Sequence, residues 1–286
     1  MKPFTTTTTV KALQVLNWIF FAMMVAANYL AIALPFNNKT TRELSDHYPN
    51  LFVPAPVTFS IWGVIYTLLL LFCVKQSKSL FSNKIDEATA ETVKAIGLRF
   101  IFTCVLNAFW ILSWHYEYML VSVFIMVTML WQLISINLKI AALAPYFSKG
   151  SRFVLKASFG SYLGWICIAT VANVTAALVN YSWNGWGQGE DFWAVILILI
   201  GAVVGSSALL KLNNGYIGLS VIWAFVGIIL ARLDALVYHR FIVWIAVFGI
   251  ALVLIAEVIE ITRSVFRTPK VREVTETNPK PTAVDF

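Results

Sequence analysis

The chain has 286 residues, 59% of them hydrophobic and only 12% charged, with a mean hydropathy of +0.78. A soluble domain carries about twice that charged fraction, which excludes a soluble enzyme or binding module. The formal net charge of +7 is therefore read as loop placement around a membrane rather than as a nucleic-acid footprint.

Apolar runs of 18 residues or more recur along the chain, and about 20 helical residues cross the hydrocarbon layer. They predict an all-α integral membrane protein with eight spans, at 12–34, 56–74, 95–114, 119–140, 153–179, 192–210, 216–231 and 241–261. With the N-terminus inside, all of the 21 Lys and Arg except Lys39, Arg42, Arg232 and Arg240 fall on inner segments. The positive-inside rule thus predicts cytoplasmic termini, and a plasma (inner) membrane is the expected location. No small-residue cleavage site follows the first apolar run, so that run is expected to stay as an anchor.

Between the first two spans lies PFNNKTTRELSDHYPNLFVPA, residues 35–55, long enough to be expected as a lid. Its NKT at Asn38 is a glycosylation sequon that matters only in a eukaryotic host. The inner loop 75–94 carries a charged, partly helical pattern around DEATAETVK. A seam follows the fifth span, at NYSWNGWGQGEDFW, where Trp183, Trp186 and Trp193 read as an interfacial aromatic belt. The expected division is a five-helix unit over 1–180, three further helices over 181–262 and a disordered polar tail over 263–286. No internal repeat is visible.

Three spans carry polar and aromatic residues at helical spacing. On the fifth, Tyr162, Trp165, Ala169 and Asn173 lie within about 80° of one another. On the third, Asn107, Trp110 and Trp114 share a face, and on the second Phe59, Trp62 and Tyr66 do. At 1.5 Å rise per residue, all three faces reach the middle-to-outer half of the membrane. Helix packing alone explains each face, because small residues and Asn are common between membrane helices. Together they describe an apolar, flat-walled space with a few polar handles, suited to a planar hydrophobic ligand.

The fifth segment resembles the tryptophan-rich sensory protein / translocator protein family, whose pattern YLxWxxxATxxxN is met by Tyr162, Leu163, Trp165, Ala169, Thr170 and Asn173. The family's LNxxW is matched by Leu106, Asn107 and Trp110, and its WxxxLY, after a Pro-rich lead, by Trp62 and Tyr66 behind Pro54, with Ile65 in place of Leu. The resemblance covers about residues 10–180 and implies a five-helix bundle whose pocket opens toward the loop between the first two helices. It also implies tetrapyrrole ligands such as protoporphyrin or heme, and for some members sterols or isoquinoline-type drugs. Two positions depart from the pattern: Pro56 stands for a Trp and Thr58 for an aromatic residue. The family's residues at those positions help bind ligand or degrade porphyrin, so the departures weigh against both porphyrin breakdown and porphyrin preference, which rest on the resemblance alone. The last three spans lie outside the basic family pattern.

The remaining chemistry is sparse. Cys73, Cys104 and Cys167 sit in spans without CxxC spacing and read as small buried apolar residues. His47, His115 and His239 fall on outer connections, with no ligand spacing, in what reads as a wet interface. Glu257 and Glu260 lie in the last turns of the eighth span, where an interfacial ion pair with Arg263 is expected and a proton relay is the alternative. Asp234 reads as solvated. No phosphate loop, nucleophile elbow or metal motif appears, so no catalytic residue and no metal site is expected.

The reading that results is a receptor or translocator for a hydrophobic small molecule, with a tetrapyrrole as the implied ligand. Its site would comprise Trp62, Tyr66, Asn107, Trp110, Tyr162, Trp165, Ala169 and Asn173. The aromatics would stack on the ligand, the Asn residues would hydrogen-bond its edge and Ala169 would leave room. The lipid bilayer is the expected surrounding, nucleic acid is not an expected partner, and a homodimer is left open. A proton-coupled transporter using Glu257 and a purely structural protein are the competing readings.

Overall fold

The computed structural model describes residues 7–34, 36–39, 41–81, 87–234 and 239–266. The predicted tail beyond Phe266 lies outside them. The ten helices among them are α1 (Thr7–Ala33), α2 (Thr41–His47), α3 (Ile61–Gln76), α4 (Glu87–Ile96), α5 (Arg99–His115), α6 (Met119–Leu143), α7 (Lys149–Asn180), α8 (Glu190–Leu212), α9 (Gly215–Leu233) and α10 (Arg240–Phe266). Seven helical segments are long and apolar enough to span. The third predicted span, 95–114, is the exception. Its 17-residue α5 qualifies only jointly with α4, across a 46° bend. The bend sits at Gly97, whose φ of +55° is the left-handed conformation that ends a helix at low cost for glycine.

Local sequence explains the other breaks. Ser148 caps α7 by accepting from the Ser151 N–H at 3.2 Å. The pair Asn213-Asn214 divides α8 from α9: Asn213 takes a left-handed turn, and the Asn214 side chain accepts from the Tyr216 N–H. α10 runs four residues past the predicted end of the eighth span's domain, to Phe266.

Five spanning helices close a ring in the order α1, α5, α6, α7, α3 and back to α1. α8, α9 and α10 each pack on the other two, and α9 lies along α7. Buried amides fix that contact: Asn214 Nδ2 donates to Asn137 Oδ1 of α6 and to Lys156 O of α7, at 3.2 and 3.1 Å. On α7 itself, Gly164 brings its backbone directly against Ile217 O of α9, leaving no room for a side chain. At the end opposite the α1–α3 loop, Gln14 and Asn17 of α1 bond to Gln76. Unpaired amides in an apolar medium are costly, so these bonds set which helices are neighbours.

Candidate ligand pocket

The faces inferred on α3, α5 and α7 do meet, and Trp62 is their hub. Its ring stacks on Tyr66 at 5.4 Å and lies 6.5 Å from Trp110, while Tyr162 and Trp165 present edges at 5.8 and 6.2 Å. Offset and edge-on contacts of this kind are the favoured aromatic geometries. Beside the hub is an apolar cavity of about 60 Å³. Of the eight residues inferred from sequence, Trp62, Trp110, Trp165, Ala169 and Asn173 line it. Tyr66, Asn107 and Tyr162 do not; they form the layer beneath.

That layer is a hydrogen-bonded frame. Asn107 Nδ2 donates to Tyr162 Oη at 3.1 Å and Asn107 Oδ1 accepts from Asn28 of α1 at 2.7 Å. Asn173 Oδ1 accepts from Trp110 Nε1 at 3.1 Å, and its Nδ2 donates to Ser122 Oγ of α6 at 2.9 Å. Both amides are engaged within the ring, where they orient the aromatics. Three donors are buried without a partner here: Tyr66 Oη in that layer, and Nε1 of Trp114 and of Trp165, two residues that line the cavity. In an apolar site such groups carry a desolvation cost of about 1–3 kcal/mol until something accepts from them. Trp114 shares the face with Asn107 and Trp110, and its position there was the signal for it.

The expected lid closes the cavity. Tyr48, Val53 and Pro54 line its roof, and Tyr48 packs its ring against Trp114 at 6.1 Å. One carboxylate ties the loop to the α5–α6 turn: Glu117 accepts from Lys39 Nζ at 2.6 Å and from Tyr48 Oη at 2.5 Å. Asn37 adds a bond to His115 O at 3.1 Å. The bonds from Lys39 and Tyr48 hold the Glu117 carboxyl below its usual range, while burial and the neighbouring carboxylate push the Tyr48 phenol up, so it stays a donor. Nothing local in the sequence pairs residues 39, 48 and 117.

Other expectations need correction. His115 is not in a wet interface; it is fully buried, its Nδ1 2.7 Å from Ile111 O and its ring edge-on to Phe36. His47 packs on Tyr48 and His239 meets Asp191 at 3.0 Å. Among the described residues no three His, Cys, Asp or Glu converge as a metal site. Among them, too, no ion pair joins Glu257 or Glu260 to Arg263: the Glu257 carboxylate packs on Gly215 and Gly218 of α9, with Oε1 buried and unpartnered. Cys73, Cys104 and Cys167 are buried and free, in keeping with their apolar reading.

One of the two departures also gains a physical setting. Thr58 is fully buried, and its side chain presses on Gly227 of α9. Around it, Ala55 N–H donates to Gly227 O at 2.8 Å and Trp223 Nε1 to Thr58 O at 2.9 Å. A large aromatic at position 58 would collide with α9. The small residue fits the added helix.

A family model described as TSPO-like protein matches residues 14–259. The chain belongs to the TSPO-like protein family. The match runs beyond the five-helix ring, through α8 and α9 and into α10 of this TSPO-like chain. No curated protein and no solved structure matches it.

Proposed function

We propose that this TSPO-like protein is a membrane receptor or translocator for a flat hydrophobic ligand, with tetrapyrroles the class its family resemblance names. The observation that carries the reading is an aromatic-walled cavity with two buried, unpartnered indole donors under a tied lid.

Magnitude constrains the mechanism. An engineered apolar cavity of about 150 Å³ takes benzene, and about 60 Å³ is smaller than that. A tetrapyrrole therefore enters only when the Tyr48–Pro54 segment lifts and Trp62, Trp110 and Trp114 part. Ligand binding is coupled to lid opening in this account. The loop charges favour both termini on the cytoplasmic side, with the lid facing outward. Residues 1–180 would form the binding unit, and the helices beyond would brace α7 and the lid base. The test is titration of purified protein with protoporphyrin IX, followed by Trp quenching and thermal shift. Saturable quenching with a rise in Tm supports the reading; quenching that never saturates and leaves Tm unmoved overturns it.

A second reading rests on Glu257, whose Oε1 is buried unpartnered against α9. Such a carboxylate in a span is a candidate for proton coupling. It predicts protoporphyrin flux into proteoliposomes that follows an imposed pH gradient and is lost in Glu257→Gln. Flux indifferent to the gradient removes this reading and leaves the first intact.

A further inference from the structure

A second cavity, of about 390 Å³, lies behind the lid at the join between α7 and α8. It exceeds the aromatic pocket several-fold and falls in the range of small-molecule sites, about 300–1,000 Å³. Its floor is apolar, from Leu51 and Phe52 of the lid and Leu197 of α8, and its wall is Trp183 and Trp193. Those two rings stand 4.8 Å apart, and Trp193 Nε1 is anchored by Gly185 O at 2.9 Å. The wall is thus fixed before any ligand arrives.

The rim differs from the floor in chemistry. Asn50, Gln188 and Glu190 line it where the helices end, at the depth where indoles mark the membrane–water boundary. Glu190 brings a carboxylate, an acceptor only. Arg232 is close enough to feel its charge but does not line the cavity. An apolar floor, indole faces and a rim whose one charged group is the Glu190 carboxylate suit one kind of molecule: an amphiphile whose head donates hydrogen bonds or is cationic. An ammonium gains from both the carboxylate and the indole faces, whereas a carboxylate head is repelled by Glu190. We infer that this cavity is a separate site for an amine-headed amphiphile, built jointly by the lid, the end of α7 and the start of α8. It stands independently of the aromatic pocket's ligand.

The experiment compares dodecylamine with dodecanoic acid, which share a tail length, on the whole protein in nonionic detergent by native mass spectrometry. One saturable equivalent of the amine is expected, at least about tenfold tighter than the acid (about 1.4 kcal/mol). Glu190→Gln should bring that preference below about threefold. Leu197→Trp fills the floor and should abolish the saturable equivalent; Ala194→Leu serves if that variant does not fold. Equal binding of amine and acid, or binding unchanged by both floor-filling variants, means partition into the lipid-facing surface only and overturns the inference.

Discussion

In the five-helix ring, buried amides and hydroxyls join neighbours across helices: Asn28 to Asn107, Asn107 to Tyr162, Trp110 to Asn173 and Asn173 to Ser122. In the α8–α10 group the helices instead close on one another through small residues, with the Phe225 ring set between Gly201 and Gly249 and Val221 against Gly205. Both are ways of packing helices where lipid offers no hydrophobic drive. They leave different interiors. Hydrogen-bonded side chains hold bulky rings at fixed angles and so can frame a space, whereas in the second region side chains of one helix fill the gaps that glycines leave on the next. The binding reading belongs to the first region and the bracing role to the second.

The largest effect expected from breaking this contrast is at the contact between the regions. Gly164→Leu drives a side chain into the Ile217 carbonyl and should cost about 3 kcal/mol or more, a Tm loss near ~10 °C, read by thermal unfolding in detergent. Next is Asn173→Leu, which strands Trp110 Nε1 and removes the donor to Ser122 Oγ and should destabilise by about 1–3 kcal/mol. Trp165→Phe sharpens the comparison in the other direction. Its Nε1 has no partner to lose, so stability should hold to within about 1 kcal/mol while ligand affinity falls about five- to tenfold. If Trp165→Phe destabilises as much as Asn173→Leu, the indole is part of the frame and not a ligand donor.

The smallest effect concerns the lid tie, because Lys39 and Glu117 are partly exposed and salt weakens them. Glu117 has a depressed folded-state pKa. Its stabilisation is therefore present above the unfolded value of about 4.3 and is lost as pH falls through the lower folded value. Lid opening, followed by hydrogen exchange at residues 48–54, should thus be flat across neutral pH and rise only in acid. Glu117→Gln should show fast exchange at all pH values, with a faster ligand on-rate. Unchanged exchange in that variant places the closure in the Tyr48–Trp114 contact instead.

How much of this was legible depended on range. The spans could be read because long apolar runs have no other stable fate, and the Tyr162–Asn173, Asn107–Trp114 and Phe59–Tyr66 faces because 3.6-residue spacing fixes what shares a side. Periodicity does not say which face meets which neighbour. So the docking of Thr58 on Gly227, the Asn214 bonds to α6 and α7, and the Lys39–Tyr48–Glu117 tie were invisible, each joining residues far apart in sequence. The Asn residues lie on the faces as read, but their bonds to Trp110, Ser122, Tyr162 and Asn28, one donated and one accepted by each, could not be read from spacing. His115 was misplaced because its position at a helix end suggested water, while the lid's Phe36 covers it.

The central claim is that the cavity beside Trp62 receives the ligand. Ala169 lines it without contributing any hydrogen-bonding side chain, so Ala169→Phe fills the space with little change to the frame. Protoporphyrin IX titrated against Trp fluorescence should bind the parent saturably and the variant at least about 30-fold more weakly, with the variant's Tm unchanged or raised. Equal affinity in a folded Ala169→Phe protein would contradict the account and move the ligand elsewhere in the molecule.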